Sequence, residues 1–239
     1  MTLLLRALSV DALDPAALAR FWSGLLGWQP GADRYGATVL VPGDDTGFQL
    51  RFLPTRQPKT EQNQLHFDLT SESLDDQRRT VAKALELGAR PCDVGQRPDE
   101  PHVVLADPEG NEFCVIEPGN GFLAGCGFVG AVACDGSRAT GYFWSAALGW
   151  PLVWDQDEET AIRSPHGGPK ISWGGPPLSP KTGKYRLHFD LAPADGSDQA
   201  AEVERLLSLG ARRTNIGQGE VDWVVLTDPD GHEFCVWPG

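Results

Sequence analysis

Basic residues are scarce in this chain of 239 residues, which holds 20 lysines and arginines against 33 aspartates and glutamates, a formal net charge of −13 at pH 7. An acidic surface repels the phosphate backbone of nucleic acids, so we expect no DNA or RNA partner. The same charge argues against docking on an anionic membrane. The composition therefore indicates a globular protein with a solvated acidic surface.

Long apolar runs are absent as well. No segment reaches the roughly 20 apolar residues that a membrane-spanning helix needs. The chain begins with MTLLLRALSV, where Arg6 interrupts a short leucine run. This stretch lacks the basic head and the long apolar core of a signal peptide, so we interpret it as a buried strand.

Cysteine is also rare, and its pattern excludes two kinds of site. The five cysteines form no CxxC pair and are odd in number: Cys92, Cys114, Cys126, Cys134 and Cys235. This pattern fits a reducing cytoplasm better than a disulfide framework or a structural zinc site. Phosphate-binding glycine loops and nucleophile elbows do not occur either. We therefore expect a cytoplasmic protein.

The sequence contains an internal repeat at a nearly constant spacing. Leu65–Leu69 recurs letter for letter as Leu187–Leu191. Further matches follow in the same order: Phe21-Trp22 with Phe143-Trp144, Leu26–Trp28 with Leu148–Trp150, Leu87–Arg90 with Leu209–Arg212, Asp107–Gly110 with Asp228–Gly231, and Glu112–Val115 with Glu233–Val236. A series in constant order indicates a tandem duplication. The turn-forming residues 118–121 mark the joint, which predicts domains at 1–119 and 122–239.

Each copy divides again into two βαβββ modules. In the first copy Asp14 and Pro15 suit the start of a helix that Gly27 ends, with Leu18, Phe21, Trp22 and Leu25 on its apolar stripe. A second helix is predicted from Leu74 to Leu87, with Val81, Ala84 and Leu85 on its stripe. Strands are predicted at 3–10, 34–36, 37–42, 47–53, 64–69, 90–95, 102–106 and 112–116.

These residues carry a resemblance to a known family. The helix segment from Asp14 to Trp28 and the closing segment from Asp107 to Phe113 are similar to the first helix and the last hairpin of the glyoxalase/bleomycin-resistance/dioxygenase (vicinal oxygen chelate) superfamily. The resemblance covers nearly the whole chain as two domains. It implies an α+β fold of two tandem glyoxalase-like domains, each of two βαβββ modules whose sheets curl around a ligand cleft.

The resemblance also implies where a divalent metal would be bound in relatives that use one. The ligands lie on the first and last strands of each module, and the closing strand usually supplies a Glu. His66 and His188 match the family's histidine, but Cys114 and Cys235 stand where the Glu should be. The opening strands at 3–10 and 126–134 hold no His or Glu. The last ligand should lie near Gln49 or Arg51 in one copy and near Lys170 or Ser172 in the other.

This incomplete set favours a site without a metal. An unusual cluster stays open as an alternative, because His66 and Asp68 share one strand face and Glu112 and Cys114 share another. The matching residues in the second copy are His188, Asp190, Glu233 and Cys235. Such a cluster would hold Fe, Mn, Zn or Ni.

Several residues are candidates for the site. We consider His66, His188, Glu112 and Glu233 as catalytic acids or bases, although histidines paired with a carboxylate and solvated strand-end glutamates fit the same pattern. Candidates for ligand contact are Arg51, Cys114, Trp173, Trp223 and Cys235. The tryptophans Trp154, Trp173, Trp223 and Trp237 lie on strands of the second copy, where they would either line a cleft or fill the core.

The favoured function is binding of a small hydrophobic or aromatic molecule in one or both clefts, by analogy with resistance proteins of the family that sequester their ligand. One alternative is an enzyme, namely a metal-assisted lyase, isomerase or extradiol-type dioxygenase that uses His66 or His188. The other is a structural or partner-binding module whose clefts are filled by side chains. The sequence leaves open whether the protein is a monomer or a homodimer.

Overall fold

The structure is a computed structural model that describes residues 3–33, 35–97, 99–194 and 196–239. The first copy contains β1 (Leu3–Ala12), α1 (Pro15–Leu26), β2 (Gln29–Gly31), β3 (Thr38–Val41), β4 (Gln49–Pro54), β5 (Leu65–Leu69), α2 (Leu74–Glu86), β6 (Arg90–Pro91), β7 (Val103–Ala106) and β8 (Glu112–Val115). The second contains β9 (Val129–Cys134), α3 (Arg138–Leu148), β10 (Leu152–Gln156), β11 (Glu159–Arg163), β12 (Lys170–Trp173), β13 (Leu187–Pro193), α4 (Gln199–Ser208), β14 (Arg212–Arg213), β15 (Val224–Thr227) and β16 (Glu233–Val236). The predicted order of two βαβββ modules per copy is confirmed.

The helix α1 follows its sequence signals. The Asp14 side chain accepts from the backbone N–H of Ala17, and Pro15 takes the first helical position. Gly27 ends the helix with a φ of 77°, a left-handed conformation that suits glycine. The four residues of the predicted apolar stripe are all buried. None of the helices in the described part of the chain is long and apolar enough to cross a membrane.

Two local predictions were wrong. The second strand forms at Gln29–Gly31 and not at 34–36, because the Asp33 carboxylate accepts from the N–H groups of Tyr35 and Ala37 and folds this stretch into a turn. Arg34 lies outside the described residues. In α2, Leu85 is 42% exposed. A polar residue, Gln77, is buried instead and donates to the Val115 carbonyl at 3.0 Å.

The strands form two eight-stranded sheets, and each sheet combines one module from each copy. One sheet has the order β14-β15-β16-β13-β1-β4-β3-β2, and the other has the order β10-β11-β12-β9-β5-β8-β7-β6. At the centres of these sheets, β1 pairs antiparallel with β13, and β5 pairs antiparallel with β9. The two copies therefore complete each other's sheets within a single chain. We call the two the β1 sheet and the β5 sheet.

One face of each sheet packs into a shared core with the helices. In this core Trp22 packs edge-on against Phe113 of the β5 sheet, with ring centroids 5.2 Å apart. Trp144 contacts Phe234 of the β1 sheet in the same way at 5.0 Å. Because side chains alternate along a strand, the residues between these aromatic positions point to the opposite faces. Those two opposite faces carry the clefts.

Candidate functional site

The strand registers identify equivalent positions in the two clefts. On the β1 sheet, Ser9 lies beside both Arg51 and His188. On the β5 sheet, Ala133 lies beside both Ser172 and His66. One residue pair further along, Ala7 lies beside Gln49 and Asp190, and Ala131 lies beside Lys170 and Asp68. We name the sites the Asp190 cleft and the Asp68 cleft after the carboxylates at their centres.

In the Asp190 cleft the carboxylate is held by two donors from the first copy. Ser9 Oγ donates to Asp190 Oδ2 at 2.5 Å, and Arg51 Nη1 donates to the same oxygen at 2.7 Å. On its other side Arg51 pairs with Asp33, with 3.2 Å between Nε and Oδ1. Burial opposes the charge on Arg51, but the two carboxylates outweigh it and raise the pKa of the guanidinium. Arg51 is thus a fixed cation in the floor of the cleft.

His188 lies beside this ion pair, with Nε2 3.5 Å from Asp190 Oδ1. Its Nδ1 is buried and has no hydrogen-bond partner among the described residues. Burial lowers the pKa of His188, and the attraction of Asp190 only partly opposes that effect. The ring is therefore neutral near pH 7. Cys235 completes the group, and burial raises the pKa of its thiol well above the usual value, so it is no ready nucleophile.

An aromatic wall borders the Asp190 cleft. Trp223 stacks on Trp237 with ring centroids 4.2 Å apart, and Tyr35 tilts against Trp237 at 4.5 Å. The Arg51 guanidinium lies 4.6 Å from the centroid of the Trp237 ring. Asp33, Tyr35, Arg51, Asp190 and Trp237 line a cavity of about 250 Å³. This wall combines residues from both copies, because the β1 sheet does so.

In the Asp68 cleft a histidine, an aspartate and a cysteine meet. His66 Nε2 lies 3.3 Å from Asp68 Oδ1, and one ligand atom from each of these two and Cys114 falls within 4.8 Å of the others. Burial alone would lower the pKa of His66, but Asp68 and Cys114 together raise it to about 10. The equivalents of Ser9 and Arg51 here are Ala133 and Ser172, so no guanidinium is fixed beside Asp68 on the neighbouring strand.

The Asp68 cleft is covered by the segment that joins the two copies. Leu123 is 6% exposed and belongs to a small apolar cluster with Val104, Cys114, Ile116 and Ala131. The Phe122 carbonyl accepts from the Lys170 ammonium, which also lies 4.5 Å from the centroid of the Phe122 ring. Trp154 packs edge-on against the same ring at 5.5 Å. Two linker side chains, Phe122 and Leu123, thus pack over this cleft.

The two predicted catalytic glutamates form ion pairs. Lys59 Nζ lies 2.5 Å from Glu112 Oε1, and Lys181 Nζ lies 2.5 Å from Glu233 Oε1. Glu112 also accepts from the Asn63 N–H at 3.2 Å. These contacts fix the loops that precede β5 and β13. The catalytic role of both glutamates stays a prediction.

The structure separates the four strand tryptophans that the sequence grouped together. Trp237 lines the cavity of the Asp190 cleft and Trp223 stacks on it, whereas Trp154 contacts the linker in the other cleft. Trp173 is 1% exposed and stacks on Trp144 in the core, so the expectation that it lines a cleft was wrong. It borders only a gap of about 30 Å³.

Sequence reasoning missed three residues of the Asp190 cleft, namely Ser9, Asp33 and Tyr35. Ser9 gave no signal, because a lone serine in a strand carries none. Tyr35 falls in the segment 34–36 that was predicted to be a strand, and Asp33 directly precedes that segment. Turn chemistry around Asp33 would have suggested a loop, but only the tertiary structure brings Tyr35 of that loop against Trp237 and Asp33 beside Arg51.

The residues of the two clefts differ in how well they fit a divalent metal. In the Asp190 cleft Arg51 and Ser9 already hold Asp190 Oδ2, and the guanidinium charge would repel a metal ion. That group therefore does not fit. In the Asp68 cleft the imidazole, carboxylate and thiol offer three ligand atoms, the usual number for a catalytic zinc, and no arginine of the described residues forms an ion pair with Asp68.

Comparison with known proteins agrees with this architecture. The model of a family described as "Glyoxalase-like domain" matches residues 7–116 and 130–237. No curated protein matches the sequence. Glyoxalase I from Zea mays has a TM-score of 0.64 at 12% identity, over 98% of this chain and 92% of that one. A candidate dioxygenase from Bacillus subtilis has a TM-score of 0.63 at 16% identity, over 99% of this chain and 85% of that one.

Proposed function

Because the chain belongs to the family of glyoxalase-like domains, we propose that it binds a small aromatic molecule in the Asp190 cleft without a metal. The observation that carries this proposal is the aromatic wall of Tyr35, Trp223 and Trp237 beside a cavity of about 250 Å³. Pockets for drug-sized ligands span roughly 300–1,000 Å³, so the ligand is smaller than these. The favoured function predicted from the sequence is thereby narrowed to one of the two clefts.

The chemistry of the cleft suits binding more than turnover. Trp237 lies against both Trp223 and Arg51, so contacts on the protein side hold its ring in place beside the cavity. The side chain of Arg51 is fixed by two carboxylates before any ligand arrives. Such preorganisation reduces the ordering cost of binding. The neutral ring of His188 lies beside Asp190, behind the ion pair, and adds no charge to the cleft.

The test is a thermal-shift screen of small aromatic compounds, followed by calorimetry on those that raise the melting temperature. Trp237→Ile is the decisive variant, because Ile116 occupies the equivalent position in the other cleft. Trp154→Phe is the matched control in the Asp68 cleft. We expect the first variant to weaken binding at least tenfold and the second to leave it unchanged. Unchanged affinity of the ligand for Trp237→Ile would show that the ligand does not bind in this cleft.

The Asp68 cleft supports a second candidate, a metal-assisted enzyme that acts as a lyase, isomerase or dioxygenase. The observation in its favour is the group of His66, Asp68 and Cys114, which would hold the metal. When bound, a divalent ion would polarise a substrate oxygen. The thiol favours Zn over Mn. Metal per chain, measured after loading and desalting, should fall in His66→Ala and stay in His188→Ala; no retained metal in the native protein would dismiss this candidate.

A structural module with filled clefts is the third candidate. It is supported for the Asp68 cleft alone, where Leu123 and Phe122 lie on the sheet. The Asp190 cleft keeps its cavity. A ligand screen without any thermal shift would favour this third candidate for the whole chain.

A further inference from the structure

The first strand contains a bulge at Arg6, on the border of the Asp190 cleft. Leu5 pairs with Leu191 and Ala7 pairs with Asp190, so Arg6 has no partner residue on β13. A bulged residue is aimed differently from its neighbours on the strand. The Arg6 side chain is exposed and borders the cavity together with Tyr35 and Trp237.

The second copy has the same bulge, and the residue there is a glycine. Asp68 pairs with Ala131 and Leu69 pairs with Val129, which leaves Gly130 as the equivalent of Arg6. A Cβ at Gly130 would lie 2.6 Å from the Thr70 side chain and 3.0 Å from that of Leu123. Where the linker fills the cleft, the bulge thus leaves no room for a side chain. Where the cleft keeps its cavity, the bulge carries an arginine.

Arg6 has no ion-pair partner in the described part of the chain. Among the residues that the structure describes, no carboxylate lies within 4.0 Å of its guanidinium. The two side-chain carboxylates that line the cavity, Asp33 and Asp190, both bind Arg51. An arginine without such a partner at the edge of a cavity is an available site for an anion.

We infer that the ligand of the Asp190 cleft is a small aromatic acid, whose ring lies against the wall of Tyr35 and Trp237 and whose carboxylate pairs with Arg6. This inference rests on the proposed function and adds the chemical class of the ligand. Arginine presents paired N–H donors that match the two oxygens of a carboxylate. Each chain takes one such molecule, because Leu123 fills the equivalent space in the Asp68 cleft.

The experiment compares 2-naphthoate with 2-naphthamide, two probes of the same shape that differ in charge. Isothermal titration of the intact protein should give tighter binding of the acid by tenfold or more, with one site per chain. In Arg6→Gln the acid should lose about tenfold in affinity and the amide should be unaffected. Arg20→Gln, an exposed arginine on α1, is the control and should change neither probe. Raising the salt concentration should weaken the binding of the acid and leave the binding of the amide unchanged.

The possible results separate the role of Arg6 in binding a carboxylate from the proposed binding of an aromatic molecule. Equal affinity of the two probes, or an Arg6→Gln variant that keeps the preference for the acid, would overturn the role of Arg6. If Trp237→Ile still weakened both probes, the proposed binding function would stand. No binding of either probe at millimolar concentration would count against both. Two molecules per chain would contradict the closure of the Asp68 cleft.

Discussion

Arg51 and Asp190 form a buried ion pair that joins the two copies, with 2.7 Å between Nη1 and Oδ2 and side chains that are 7% and 2% exposed. The pair lies beneath the aromatic wall, and Ser9 donates to the same carboxylate oxygen. Breaking such a pair from one side leaves a buried charge without compensation, whereas removing both charges is much less costly. The pair thus links the stability of the β1 sheet to the shape of its cleft.

Replacing Arg51 with Met should lower the free energy of unfolding by roughly 3–5 kcal/mol, because Asp190 and Asp33 would lose their cation. The double variant Arg51→Met/Asp190→Asn should recover part of that loss. Urea unfolding followed by circular dichroism measures both. The control is Arg78→Met, where the ion pair with Asp75 has side chains 71% and 78% exposed. The Arg78→Met change should alter the free energy of unfolding by less than about 0.5 kcal/mol. Equal losses in Arg51→Met and Arg78→Met would contradict the prediction.

In metal-free protein, the pKa values of the equivalent histidines His66 and His188 should be shifted in opposite directions from that of an unperturbed histidine. The pKa of His66 is raised from 6.5 to about 10 in the folded state, so its contribution to stability is complete below pH 6.5 and is lost as the pH rises toward 10. The pKa of His188 is lowered from 6.5, so its contribution is present above pH 6.5 and is lost as the pH falls below that value.

Nitrogen-15 NMR of the imidazole rings should show His66 still doubly protonated at about pH 8, and His188 losing its second proton at a lower pH than an unperturbed histidine. Between neutral and alkaline pH, the free energy of unfolding should fall less in His66→Gln than in the native protein. Toward acid pH, it should fall less in His188→Gln than in the native protein. Coinciding titrations of the two rings would show that their environments do not differ in the way described.

Truncation of the linker residue Leu123 to Ala should destabilise the protein by about 2–4 kcal/mol, because its side chain is 6% exposed in the Asp68 cleft. Leu13→Ala, at a leucine that is 51% exposed, is the control and should change stability by less than about 0.5 kcal/mol. Thermal unfolding compares the two. If Leu123→Ala lost as little stability as Leu13→Ala, the packing of the linker on the cleft would not contribute to the stability of the fold.

The first copy, expressed alone as residues 1–119, should form a dimer. In the full chain β1 and β5 each pair with a strand of the second copy, so an isolated copy exposes two central strand edges. Pairing of two identical copies would cover them. Size-exclusion chromatography with light scattering measures the mass, and a folded monomer would show that one copy needs no partner. This experiment also tests the predicted domain boundaries.

The sequence by itself determined the duplication, the order of helices and strands and the family. These features depend on local signals, such as the cap at Asp14, the stop at Gly27 and the alternation in Leu65–Leu69, each of which acts within a few residues. The amino-acid sequence was also sufficient to mark both clefts by His66, His188, Cys114 and Cys235, because the repeat assigns these residues to matching strands.

The tertiary structure alone decided which modules share a sheet and how the two clefts differ. Strand pairing between β1 and β13 joins residues far apart in the chain, and no local pattern distinguishes it from pairing within a copy. The same long-range pairing brings Arg51 to Asp190, and the path of the linker places Leu123 on the Asp68 cleft. Two identical LHFDL strands therefore lie in different surroundings, because residues from the opposite copy and the linker fill the space around them.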